Sequence, residues 1–195
     1  MQRIVGGAIA LVLIGLMWLT LGRLVVVSDA GAGGMLTGEA ILTYLLLFAA
    51  PAATFVPLRS WTGIPLYDLE GIAGWSTLGF ILTFLRPSSP PSMGQFLLFI
   101  LALTVALATI CTLGSHLVGL RLYRHDRRRY DVVRARRQGY LAAMFGVALP
   151  VLHGIGTLTP ISGTLLLVLV VLAELFALSR SNMKPASTRV AGYRP

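Results

Sequence analysis

The sequence predicts an all-α integral membrane bundle of six transmembrane helices. Three observations predict it. Hydrophobic residues make up 56% of the 195 and charged residues only 12%, with a mean hydropathy of +0.81; soluble domains carry about 25% charged residues. Several apolar runs approach or exceed the ~20 residues that a helix needs to cross ~30 Å of hydrocarbon. The arginines gather between the runs, with eight of the fifteen lying between positions 121 and 137. A soluble fold would have to bury every run in a core that a chain of this size cannot build.

Arg3 precedes an apolar run over 4–27 that only Arg23 interrupts. A positive start and an apolar stretch also describe a signal peptide. The run is about twice a normal signal core, and Ser28-Asp29-Ala30-Gly31 is a poor cleavage site, so we read a first transmembrane helix. Gly31-Ala32-Gly33-Gly34 is a turn. A second span covers 35–58 and contains Pro51 and Pro57, with a kink expected near Pro51. Proline is tolerated in a membrane helix where a neighbour satisfies the freed carbonyl.

Residues 59–70 read as a polar cytoplasmic loop whose Trp61 and Tyr67 suit the headgroup zone. The apolar run over 71–85 is short for a span. We read it as crossing; in the five-span alternative it re-enters on one side. The prolines of the segment over 86–92 forbid a helix and make a tight external turn. The run over 94–120 is the longest span, 138–156 and 161–178 are the last two, and Thr157-Leu158-Thr159-Pro160 turns between them. The division expected is an N-terminal hairpin over 1–58, a loop over 59–70, a four-helix module over 71–180 and a disordered basic tail over 181–195.

The short basic loop over 121–137 sets the topology, because loops rich in Lys and Arg stay on the cytoplasmic side. With both termini cytoplasmic, thirteen of the fifteen arginines and the only lysine, Lys184, fall inside; Arg23 and Arg86 are the exceptions. The five-span alternative places Arg59 and the N-terminus outside and fits this bias less well. Arg121, Arg124, Arg127, Arg128, Arg129, Arg134 and Arg136 are expected to face anionic lipid headgroups, at about 1 kcal/mol for each basic residue near the surface. The net charge of +9 is therefore a membrane signature, and nucleic acid is not an expected partner. Arginine greatly exceeds lysine, a composition typical of GC-rich bacterial genomes, so the expected location is a bacterial cytoplasmic (inner) membrane.

Ionisable residues within spans are costly and mark sites by default. Glu174 lies six residues before Arg180 and His116 five before Arg121, which puts them ~9 Å and ~7–8 Å from the same membrane face. Gln138 and Arg137 open the span between them. We expect a polar clamp in which Glu174 accepts hydrogen bonds from His116, Gln138 or an arginine, each worth roughly 0.6–2 kcal/mol. The same His116 and Glu174 pair in a proton-coupled carrier is the alternative. Arg23 and Glu39 flank the first turn and are expected to form an ion pair on the outer side.

No cofactor or metal is expected. His153 lies fifteen residues after Gln138, hence ~14 Å from the depth of His116, too far for two axial ligands of one haem. Cys111 is the single cysteine, so no internal disulfide or cysteine-rich metal site exists. The sequence contains no His-Glu-x-x-His, no Gly-rich phosphate loop and no Gly-x-Ser-x-Gly. Ser115 and His116 are neighbours whose side chains point ~100° apart on a helix, which is poor for a nucleophile and its base.

Small residues recur every four positions: Ala102, Ala106 and Gly114; Thr104, Ala108 and Thr112; and Ala142, Gly146, Pro150 and Gly154. Such stripes let helix backbones approach closely. They point to packing within the bundle, with a membrane-protein partner or a second copy as the further contact. The reading is a non-enzymatic scaffold or accessory subunit acting by helix–helix contact.

Short features over about 71–180 also carry a resemblance. They are the Pro/Ser turn at 87–92, a long helix ending in arginines, Arg136-Arg137-Gln138-Gly139, Leu158-Thr159-Pro160 and Glu174-Leu175-Phe176. This part resembles a loosely defined group of small multi-pass bacterial membrane proteins of uncharacterised function. The resemblance implies no activity and leaves out the first two spans.

Overall fold

The computed structural model describes the backbone of residues 2–27, 37–85, 92–122 and 131–182. The turns expected at 31–34 and 86–91, the centre of the basic loop and the tail from 183 onward lie outside the described residues. Six helices appear among them: α1 (Gln2–Val27), α2 (Gly38–Thr62), α3 (Tyr67–Phe84), α4 (Met93–Leu122), α5 (Val132–Gly154) and α6 (Pro160–Asn182). Four of these, α1, α2, α4 and α6, are long and apolar enough to cross a membrane.

Two compact units are present, residues 1–143 and 144–195. The first holds α1 to α4 and the beginning of α5. The second holds the rest of α5 and α6. Within the first unit α1 packs on α2, α2 on α3 and α3 on α4.

The first unit is built inside out relative to a soluble bundle. Its buried positions are mostly small: Ala40, Ala50, Ala102, Ala106, Ala108, Thr43, Ser76, Thr83, Thr109 and Thr112. Its exposed positions include Leu11, Leu19, Leu45, Phe48, Leu101 and Ile110. Lipid tails are as apolar as leucine, so helices in a membrane associate by close approach and hydrogen bonding. Glycine makes that approach possible at Gly74, where an added Cβ would stand 2.9 Å from the Ala106 nitrogen of α4. At Gly71 the ring of Phe55 occupies the same space.

Helix α2 runs through Pro51 and Pro57 without a break. Pro51 has no N–H, so the carbonyl of Leu47 four residues earlier loses its helical donor. Ser76 of α3 replaces it, donating Oγ–H to the Leu47 oxygen at 2.7 Å. The proline thus becomes a docking point for α3.

The polar loop read over 59–70 is much shorter. Both helices extend into it and leave a connector over 63–66. Gly63 caps α2 in the left-handed conformation with φ 69°, its N–H bonded to the Arg59 carbonyl. Leu66 is also left-handed, at φ 61°, a conformation that costs a non-glycine residue roughly 1–2 kcal/mol. The tight connector leaves Ile64 and Tyr67 buried against Phe55.

In the second unit, α5 ends in a turn with Gly156 at φ 75°. Thr159 caps α6: its hydroxyl accepts the Ser162 N–H and its own N–H donates to Ser162 Oγ. This is a reciprocal capping box with Pro160 at the first helical position.

Candidate functional site

The basic segment over 121–137 is only partly a loop. Arg121 is exposed in the last turn of α4. Arg124, Arg127, Arg128 and Arg129 lie outside the described residues. Helix α5 then starts at Val132, because Asp131 acts as its cap and accepts the Arg134 N–H through Oδ1 at 3.0 Å. That start makes Arg134, Arg136 and Arg137 helical and rotates them onto different faces.

Two of these arginines turn toward neighbouring helices. Arg134 is only 9% exposed. Its guanidinium lies over Gly119 of α4, where an added Cβ would strike Nη2. Arg136 forms an ion pair with Glu70 in the first turn of α3, the two side chains being 35% and 21% exposed. Both arginines are drawn inward because α5 packs its first turns against the end of the bundle.

Further along the same contact, Ser115 of α4 donates to Gln138 Oε1 at 2.7 Å. One residue on, Gly139 faces α4 so closely that a Cβ there would stand 2.6 Å from the Thr112 Cα. His116 is buried, at 5% exposure, and lies one turn from Gly119 on the same helix face. The α4–α5 contact therefore stacks Thr112, Ser115 and Gly119 against Gly139, Gln138 and Arg134.

Of the residues expected in the clamp, Gln138 is bonded to Ser115, the neighbour of His116. Glu174 is half-buried on α6 and belongs to the second unit. Arg23 and Glu39, the pair expected on the outer side, are both exposed. Exposed pairs gain little, typically 0–1 kcal/mol, and Arg23 stands near the end of α1, within snorkelling reach of the interface. His153 is exposed in the last turn of α5.

Sequence reasoning missed three features. The buried stripe of α5 is Ala135, Gly139, Ala143 and Val147, whereas Ala142, Pro150 and Gly154 are exposed. Its small residues sit at four-residue spacing too, so the sequence held two candidate stripes and only packing chose between them. The Glu70–Arg136 pair joins residues 66 positions apart and had no local signal. At the α2–α3 connector, Arg59 donates to Asp68 at 2.8 Å. That bond holds the Asp68 carboxyl, which precedes the apolar run over 71–85, below the usual carboxylate range.

Beside this connector lies an apolar cavity of about 280 Å³, open on one side. Trp18, Thr54, Phe55, Leu58, Tyr67 and Trp75 line it, with Ile110 and Leu113 of α4. The indoles of Trp18 and Trp75 meet edge to face at 5.3 Å. No group of three or more His, Cys, Asp or Glu side chains that would hold a metal exists among the described residues.

The Glu70–Arg136 pair supports the α3–α5 contact in a testable way. Glu70→Lys is expected to cost about 1–2 kcal/mol, between the values for exposed and buried pairs. The double exchange Glu70→Lys with Arg136→Glu recovers most of the loss. Thermal unfolding in mild detergent measures both.

Comparison with protein-family models, with curated proteins and with solved structures found no match. The class therefore follows from the fold alone: over its described residues the chain is an all-helical membrane protein, with four helices built to cross a bilayer.

Proposed function

We propose that this chain is a six-span protein of the bacterial cytoplasmic membrane, with both termini inside. It acts as a non-enzymatic scaffold or accessory subunit by helix–helix contact. The six-span reading is supported by α3, whose 18 residues reach ~27 Å at 1.5 Å each. It is supported also by the pairing of Arg59 and Arg136 with acids at one end of α3. Polar groups collect there, as expected at a cytoplasmic interface.

One observation carries the contact reading. Gly71, Gly74 and Gly139 each receive a neighbouring helix, whereas Gly15 and Gly22 of α1 have nothing within 4 Å of an added Cβ. These two are seven residues apart and share a face, beside the exposed Leu11, Leu19 and Val26. The same residue type that seats helices inside the unit is thus presented outward on α1. The partner is a second copy or another membrane protein.

Cysteine placed at position 15 in a Cys111→Ala background tests this in native membranes. A crosslinked adduct that disappears with Gly22→Leu is expected. A monodisperse monomer with no adduct overturns the contact reading. A reporter fused at residue 130 should read cytoplasmic, and a periplasmic signal overturns the topology.

A further inference from the structure

We infer that the cavity between α1, α2, α3 and α4 is a binding site for one hydrocarbon chain of an anionic membrane lipid, with Arg59 as the headgroup contact. The lining residues come from all four helices, and their polar atoms are already engaged. Trp18 Nε1 donates to Thr54 Oγ1 at 3.0 Å, and Thr54 Oγ1 donates to the Ala50 carbonyl at 2.9 Å. Trp75 Nε1 donates to Thr109 Oγ1 at 3.3 Å, and the Tyr67 hydroxyl donates to the Thr109 carbonyl at 2.9 Å. What remains toward the cavity is hydrocarbon and ring face. A water would need two to four polar partners, and the lining offers none.

Size narrows the occupant. The volume of about 280 Å³ is nearly twice that of the ~150 Å³ apolar cavity that admits benzene. It falls just short of the ~300–1,000 Å³ of pockets that enclose a small molecule. Tyr67 and Trp75 are eight residues apart on α3, so the cavity runs ~12 Å along the helix. That fits a segment of one chain rather than a whole lipid or a disc-shaped pigment. The walls do not collapse, because Trp18 against Trp75 and Phe55 against Tyr67 form edge-to-face pairs at 5.3 and 5.6 Å. Half-exposed Ile110 stands at its rim, so the cavity is reached from the apolar outer surface of the helices.

Charge selects the headgroup. Arg59 follows the lining residue Leu58, is 50% exposed, and bonds Asp68 through Nη1. A guanidinium has five N–H donors in a planar fork, so it can hold a phosphate while keeping Asp68. Trp61, two residues on and 66% exposed, belongs at the same headgroup depth. The inference rests on the membrane reading. It does not depend on which leaflet the cavity faces.

The tryptophans supply the test. Trp18 and Trp75 line the cavity and Trp61 does not, so a Trp61→Phe background reports on the site. The full chain is reconstituted in symmetric phosphatidylcholine vesicles with a rising fraction of chain-brominated phosphatidylglycerol. Brominated phosphatidylcholine serves as the comparison. Quenching is expected to exceed the bulk fraction of brominated lipid, with phosphatidylglycerol favoured up to about fivefold, the equivalent of ~1 kcal/mol for one basic residue near the surface. Arg59→Gln removes that preference and leaves quenching by both lipids. Ile110→Phe with Leu113→Phe fills the cavity and returns quenching to the bulk fraction at unchanged helical content. Quenching that follows the bulk fraction from the start overturns the site. Quenching that exceeds it with no headgroup preference overturns the role of Arg59. Symmetric vesicles make this outcome independent of the reporter at residue 130, so the two readings fail separately.

Discussion

Gly139→Val is expected to destabilise the protein by about 3 kcal/mol or more and to separate α5 from α4. The contact at Gly139 is backbone to backbone: an added Cβ would stand 2.6 Å from both the nitrogen and the Cα of Thr112. A side chain there cannot be accommodated by a rotamer change, because the obstacle is main chain. Overpacking a tight contact costs typically 1–3 kcal/mol, and here the whole helix pair must move. The move also breaks the Ser115–Gln138 bond and lifts Arg134 from Gly119. Thermal unfolding in mild detergent would show the loss. Proximity of cysteines at 115 and 138, measured by crosslinking, would show the separation. Gly114→Val is the control, since nothing lies within 4 Å of a Cβ at that position. An equal effect of the two substitutions would contradict the packing argument.

The second large effect concerns Ser76. Ser76→Ala removes the donor to the Leu47 carbonyl and leaves a buried acceptor without a partner. Such an orphan costs about 1–3 kcal/mol, and lipid offers no replacement. The cause is Pro51, so the remedy is specific. Pro51→Ala restores an N–H that can bond the Leu47 carbonyl within α2. The double variant Pro51→Ala with Ser76→Ala should therefore lose less than Ser76→Ala alone, by roughly 1 kcal/mol in a double-mutant cycle. Additive losses would show that the serine does not act for the missing amide. The cycle also separates this bond from simple packing, since the methyl left by alanine still fills most of the site.

The helices themselves were legible because hydropathy is a local property. Their limits were less so, for a physical reason visible at two places. Between α2 and α3, polarity marked a loop over 59–70, yet Arg59, Asp68 and Glu70 are helical. Each of the three charges finds an ionic partner, so polarity there did not mean irregular backbone. Between α4 and α5, seven of the eight arginines over 121–137 read as headgroup-facing. The cap at Asp131 sets a helical phase that turns Arg134 onto α4 and Arg136 onto α3. A one-dimensional count of arginines carries no such phase.

The site was less legible still. The expected clamp drew on depth alone, which matched His116 and Glu174 but says nothing of azimuth around a helix. Within the first unit, Gln138 bonds Ser115, the residue beside His116. The cavity at Trp18 and Trp75 draws on residues 57 positions apart, and no spacing rule joins them.

Composition and charge order by themselves determined that this is a helical chain for a bilayer and where its apolar rods lie. Both follow from transfer of side chains between water and lipid, which each segment experiences alone. Which small residues meet, which arginines turn inward, which carbonyl Ser76 serves and where a cavity opens were decided only by the tertiary structure. Those outcomes depend on helix phase and on the approach of backbones, quantities that exist only once two helices are in contact.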